Sequence, residues 1–134
     1  MTESRTFVFD SEALAKAVRG DRDLLALLDL ARTEDIPVVI TPMTMVEADD
    51  GKIRPERWRW LVSRLRTVTI GVEEGQAAQK LRRQTGLHGH KYVIDTFLAV
   101  AAIAQAGAVT LFTSDVDDVD TLLSDHPRIV VEQV

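Results

Sequence analysis

The sequence predicts an α/β domain: three layers, with a central, mainly parallel five-stranded sheet flanked by helices. Two observations carry this. Five short β-branched runs, at 6–9, 38–40, 67–70, 109–113 and 128–131, alternate with segments of helical spacing. The runs are also nearly continuous in apolar residues rather than alternating, as strands buried on both faces are.

The elements follow in order. The first strand, TFVF, runs into Asp10. Helices are predicted over 12–19 and 22–32, the second carrying Leu24, Leu25, Leu27, Leu28 and Ala31 on one broad stripe. After the strand 38–40, Thr41-Pro42 is a helix start, a hydroxyl cap with proline at the first helical position, and Gly51 is a stop. Pro55 opens a helix reaching about Arg66, followed by the strand 67–70 and a helix over 73–84. A long alanine-rich helix spans 92–105 and closes near Gly107. The strand 109–113, a helix over 115–124 with His126-Pro127 as breaker, and the strand 128–131 complete the chain. No repeat, low-complexity tract or linker interrupts it, so residues 1–134 are expected to form one domain.

Composition narrows the chemistry. With no cysteine, disulfides, thiolate metal sites and thiol nucleophiles are excluded. MTESRTFVFD has no signal-peptide pattern, and the longest apolar run, near 97–104, is far shorter than a membrane span; a soluble cytoplasmic protein with no membrane partner is expected. The net charge of −5 is unevenly divided. Residues 52–91 hold ten Lys/Arg against three glutamates, a local +7 that leaves −12 elsewhere. Such a division suits a basic surface beside an acidic site, as when a phosphate-rich polymer is held near bound cations.

The acidic side has a focus. LFTSDVDDVDTL crowds Asp115, Asp117, Asp118 and Asp120 into six positions, where like charges repel unless water, a helix end or a metal ion offsets them. In open α/β sheets ligands bind beyond the carboxyl ends of the strands. Asp10 ends the first strand and Asp115 follows the fourth, so both point to one rim. Glu47, in PMTMVEADDG, lies in the helix after the second strand. Asp95, in KYVIDTFLAVAA, is the lone charge in an apolar helix and needs an aqueous cleft, a cation or a capping role. Each acid has an ordinary reading as well: Asp10 and Asp115 as helix caps, Asp95 at a helix N-terminus, Glu47 simply exposed.

Several motifs are excluded. An EF-hand would need glycine where Asp120 stands and glutamate where His126 stands. A haloacid-dehalogenase-type phosphatase would need an aspartate in place of Glu12. A receiver-type phosphoacceptor would need a lysine after the fifth strand, and no lysine follows Arg128. Phosphate-loop and nucleophile-elbow patterns are absent. His88 and His90, in GLHGHK, read as exposed loop histidines.

Together FVFDSEAL, MVEA, HKYVIDTFLAVAA and LFTSDVDDV resemble the PIN-domain ribonucleases, most closely the VapC-type toxins of bacterial toxin–antitoxin pairs, over essentially the whole chain. The resemblance implies a Mg²⁺- or Mn²⁺-dependent endoribonuclease in which Asp10, Glu47, Asp95 and Asp115 form the acidic quartet. Asp118 matches an additional metal-site acid, Ser11 the hydroxyl residue after the first aspartate, and Thr113 the residue bracing the last motif. Glu12 departs from the small polar residue common in the family. Asp10 and Asp115 are expected to contact the ion directly, with Glu47 and Asp95 acting through its waters. Asn in place of Asp10 or Asp95 is expected to cost orders of magnitude in cleavage rate while leaving the fold intact or stabilised.

Arg54, Arg57, Arg59, Arg64, Lys80, Arg82, Arg83 and Lys91 are the candidates for gripping RNA phosphates. Of Trp58 and Trp60, one is expected in the core and the other at a stacking or contact surface. The implied partners are RNA, a small antitoxin and a second copy in a homodimer. The alternative is a catalytically impaired PIN-like module that binds RNA or protein.

Overall fold

The computed structural model describes residues 4–134. Its elements are β1 (Arg5–Phe9), α1 (Ser11–Val18), α2 (Arg22–Thr33), β2 (Val38–Ile40), α3 (Pro42–Ala48), α4 (Pro55–Val62), β3 (Arg66–Thr67), α5 (Val72–Thr85), a 3₁₀ turn (His90–Tyr92), α6 (Val93–Ala104), β4 (Ala108–Thr113), α7 (Val116–Leu122) and β5 (Ile129–Gln133). The five strands form one sheet in the order β3-β2-β1-β4-β5, with every neighbouring pair parallel. β1 is therefore central, in register with β2 (Phe7 opposite Val38) and with β4 (Phe9 opposite Phe112).

Period-two alternation in these strands feeds two cores. Phe7, Phe9, Val38, Ile40 and Phe112 face one side, where they meet Leu14, Leu24, Leu28 and Leu61 of α1, α2 and α4. Phe112 sits edge-on to both Phe7 and Phe9, at 5.3 and 5.7 Å between ring centres. Val8, Val39, Val109, Leu111 and Ile129 face the other side and meet Ala78, Leu81, Leu98 and Leu122 of α5, α6 and α7. This double burial is why the strand sequences are continuous apolar runs. No helix among the described residues is long and apolar enough to cross a membrane.

Three boundaries differ from the sequence expectation, each for a local reason. α3 stops at Ala48, short of Gly51, because the Asp49 and Asp50 carboxylates accept the N–H groups of Gly51 and Lys52, both at 2.8 Å. Such turns offer the backbone an alternative to the helix. α4 stops at Val62, and the Ser63 hydroxyl donates back to the Trp60 carbonyl. β3 holds only Arg66 and Thr67: Val68 turns onto the second core, and Gly71 starts α5 with its N–H donated to Glu74 Oε1 at 2.7 Å.

Gly107 carries the turn from α6 into β4. Its φ of +73° favours glycine, and a Cβ there would overlap the Ser4 carbonyl oxygen, which accepts the Ala108 N–H at 2.9 Å. Arg128 closes the same corner, donating to the carbonyls of Ile103, Gln105 and Gly107 at the end of α6.

Candidate functional site

Asp10 follows the last residue of β1 and is only 4% exposed. Oδ1 accepts the Ala13 N–H at 2.7 Å and so caps α1; Oδ2 accepts the Ser114 N–H at 2.9 Å from the end of β4. The capping role and the rim position thus coexist in one side chain. Burial raises its pKa, and Asp115 adds to the rise, while the two N–H groups and the Thr113 hydroxyl favour the ionised form.

These bonds bear on the expectation for Asp10→Asn. A carboxylate accepts through both oxygens, whereas an amide would set its NH₂ against one of the two backbone N–H donors. The substitution therefore sets the loss of one of these bonds against the relief of the Asp115 repulsion.

The neighbouring acids arrive from three other elements. Asp95 lies in the first turn of α6, half-buried, with no hydrogen bond or ion pair to its carboxylate among the described residues. Burial pushes its pKa up to about 7, helped by the charges of Asp115, Asp10, Glu47 and Asp118, in that order. The five acids therefore share one electrostatic neighbourhood.

Glu47 is exposed near the end of α3 and accepts the Ser11 hydroxyl in a short hydrogen bond. Asp115 is exposed at the N-cap position of α7, where its side chain makes no capping bond and its N–H is held by Thr113 Oγ at 2.9 Å. Asp118 is half-buried in the first turn of that helix. Ser114, Asp115, Asp117, Asp118 and Gln133 line a shallow concavity of about 280 Å³.

Among the described residues no Lys or Arg pairs with any of these five acids; the ion pairs are Glu12 with Arg19 and Asp29 with Arg32. Glu12 is thus turned down α1 toward Arg19, and its charge is not among those acting on Asp95. No three His, Cys, Asp or Glu side chains among the described residues stand close enough to clamp one ion by themselves. The donor set is still suited to a hard divalent cation: all oxygen, no thiolate, and in electrostatic excess. Mg²⁺ keeps several waters and needs only one or two direct carboxylates.

The basic residues divide between the two rims. α1 starts beside Asp10, so Val18 at its end lies at the far rim, where its carbonyl accepts Arg57 Nε at 3.0 Å. Arg64 lines a groove of about 750 Å³ at the same far rim, together with Pro37 and Val38 at the start of β2. Trp60 lies there too, 39% exposed, with Arg57 and Arg64 guanidinium carbons 4.6 and 4.5 Å from its ring centre; Trp58 packs against the first core. α5 and α6 form an antiparallel pair, so Arg82, Arg83 and Lys91 lie at the carboxylate rim. Arg83 is exposed, and Lys91 sits over the Tyr92 ring. Arg82 is committed to protein carbonyls, donating to Leu87 O and Gly89 O, both at 3.0 Å. Arg54, Arg59 and Lys80 are exposed, as are His88 and His90.

Sequence reasoning missed the Ser114 N–H as partner of Asp10 and the carbonyl-binding role of Arg82. A backbone donor 104 residues away leaves no mark in the sequence, whereas an arginine preceding a Gly-flanked loop is a faint one.

No family model matches this sequence, and no curated protein matches it. Solved structures do match in fold. A chain of the VapBC2 complex from Rickettsia felis, bound to a DNA fragment from its promoter, superposes with a TM-score of 0.63 at 15% identity, covering 96% of this chain and 98% of that one. A chain of a toxin–antitoxin complex from Klebsiella pneumoniae gives 0.66 at 20% identity, covering 95% and 98%. The parallel sheet in this strand order, the acids gathered at its carboxyl rim and these two likenesses agree: the chain has the PIN-like α/β fold, shared with chains of these two complexes.

Proposed function

We propose that this chain is a divalent-cation-dependent endoribonuclease and the toxin of a toxin–antitoxin pair. The observation that carries the reading is Asp95, a half-buried carboxylate with no protein cation beside it and four further acids acting on it. Such an arrangement is costly for the free protein and is relieved by a bound cation.

Asp10 and Asp115 would hold the ion directly, Glu47 and Asp95 through its waters, with Asp118 in support. When bound, Mg²⁺ or Mn²⁺ supplies Lewis acidity at a phosphodiester and a more acidic water. The remaining work falls to the chain itself. Ser11 orients Glu47, Thr113 and Ser114 fix the loop that carries Asp115, and Asp95, without a protein cation beside it, would serve as the proton acceptor. Lys80, Arg83 and Lys91, with Arg54 and Arg59, are free to meet RNA phosphates in a salt-dependent way. An arginine from a small antitoxin is a physically reasonable counterion for the same carboxylates. A homodimer working in the cytoplasm completes the proposal.

One observation favours a catalytically impaired binding module instead: no three of the acids form a ready clamp, and both Asp10 oxygens already accept N–H groups. Purified protein incubated with total RNA, with and without Mg²⁺, beside the Asp95→Asn variant, separates the two readings. Mg²⁺-dependent cleavage lost in the variant supports the nuclease. A Mg²⁺-dependent thermal shift with no cleavage of any RNA supports the module.

A further inference from the structure

Arg82 stands apart from the other basic residues at the carboxylate rim. Its side chain is half-buried, and its guanidinium bridges two carbonyls of the loop between α5 and α6, Leu87 O through Nε and Gly89 O through an Nη. Gly89 O also accepts the Tyr92 N–H at 3.3 Å, the bond that winds the 3₁₀ turn His90–Tyr92. That turn passes straight into α6, whose N-terminus has no side-chain cap and whose first turn carries Asp95. Gly89 itself adopts a φ of +101°, so the carbonyl reaches Arg82 only through a conformation that other residues resist.

We infer that Arg82 is a positioning residue: by fastening the carbonyl that starts the 3₁₀ turn, it sets where α6 begins and so where Asp95 stands among the other acids. The inference rests on the ribonuclease reading for its catalytic meaning, although the geometry is independent of it. It also separates Arg82 from Arg83, its exposed neighbour, which makes no hydrogen bond or ion pair among the described residues. A residue gripping RNA acts on binding and on its salt dependence. A residue aiming Asp95 acts on the chemical step. Lysine cannot substitute fully, since a point ammonium does not span two carbonyls as a planar fork does.

The test uses the full chain as Arg82→Ala, Arg82→Lys and Arg83→Ala, beside the unaltered protein. Two readouts are taken: amide hydrogen exchange along the chain, and steady-state cleavage of a single-stranded RNA oligonucleotide of mixed sequence at several salt concentrations. For Arg82→Ala we expect faster exchange confined to residues 86–96. The kcat should fall on the order of 10²-fold, as small misplacements of reacting groups do, with KM and its salt slope unchanged. Arg82→Lys should fall between. Arg83→Ala should act on KM, raising it and flattening its salt slope by about 0.7 for one lost phosphate contact.

If Arg82→Ala behaves as Arg83→Ala does, the inference is overturned. Exchange that quickens equally across β1 and β4 overturns it too, since Arg82 would then be a general structural residue. If the unaltered protein cleaves no RNA, the nuclease reading fails, while the exchange pattern still decides whether Arg82 sets the start of α6.

Discussion

The Ser114 N–H donates to Asp10 Oδ2 at 2.9 Å, joining the ends of two neighbouring strands across 104 residues of chain. The other oxygen of the same carboxylate caps α1. Asp10→Ala should lose both bonds and destabilise the protein by about 2 kcal/mol. Asp10→Asn should lose less, about 1 kcal/mol, because one acceptor remains. Urea unfolding of both variants measures this, and an Asn variant as stable as the parent would contradict the geometry.

Asp95 should make the metal-free protein less stable as pH rises. Its pKa is about 7 in the fold against an ordinary 3.8, so between those values the folded state holds a proton that the unfolded chain has released. Stability from this group is thus lost progressively from pH 4 to 7 and stays low above that. Asp10, also raised, acts in the same direction. Melting temperatures in a chelating buffer at pH 5 and pH 8 should differ more for the parent than for Asp95→Asn. Equal differences would show that Asp95 is not under this strain.

Cation binding should release protons. Near pH 6.5 Asp95 is largely protonated in the free protein, and an adjacent divalent ion favours its ionised form. Calorimetric titration with Mn²⁺ in buffers of different ionisation enthalpy should show apparent heats that vary with the buffer. The variation should shrink in Asp95→Asn, while buffer-independent heats in the parent would argue against Asp95 as part of a cation site.

Ser11→Ala should affect rate more than stability. The hydroxyl is the one hydrogen-bond partner of the Glu47 carboxylate among the described residues, and that side chain is otherwise exposed and free to rotate. A fall in kcat of roughly tenfold is expected, within the range for a mispositioned polar group. KM and melting temperature should stay near those of the parent. A change in KM alone would move Ser11 from orienting Glu47 to contacting RNA.

Gly107→Ala should cost about 2 kcal/mol or more, from a left-handed backbone and from a Cβ forced toward the Ser4 carbonyl. Gly51→Ala shares the positive φ but has open space around it, so it should cost less. Thermal denaturation of the pair separates backbone strain from steric overlap.

Much of this arrangement was legible in the residues. The strands 6–9, 38–40 and 109–113 stood out because burial on both faces leaves no charged positions in them, and the strand-end rule then directed Asp10 and Asp115 to one rim. Asp95 was legible as the lone charge of an apolar helix. The two-residue β3 was not, because Val68 and Ile70 have strand-like composition whichever neighbour they pack on. Nor was the distribution of the basic residues. Charge along the chain cannot tell that α4 and the turn after it carry Arg57 and Arg64 to the far rim while α5 brings Arg82 and Arg83 beside the acids. The stop of α3 at Ala48 depends on two aspartate turns that compete with the helix by small margins.

Because β1 lies between β2 and β4, the sheet cannot be finished from its first half. Residues 5–67 supply three adjoining strands, yet the pairing of β1 with β4 and the Asp10–Ser114 bond wait for the chain beyond residue 108. During synthesis a ribosome-bound fragment lacking that stretch has one flank of its central strand bare and Asp10 without its second donor. On the proposed reading, a growing polypeptide stays harmless to RNA until residues 108–114 have emerged, so the timing of the hazard is set by strand order.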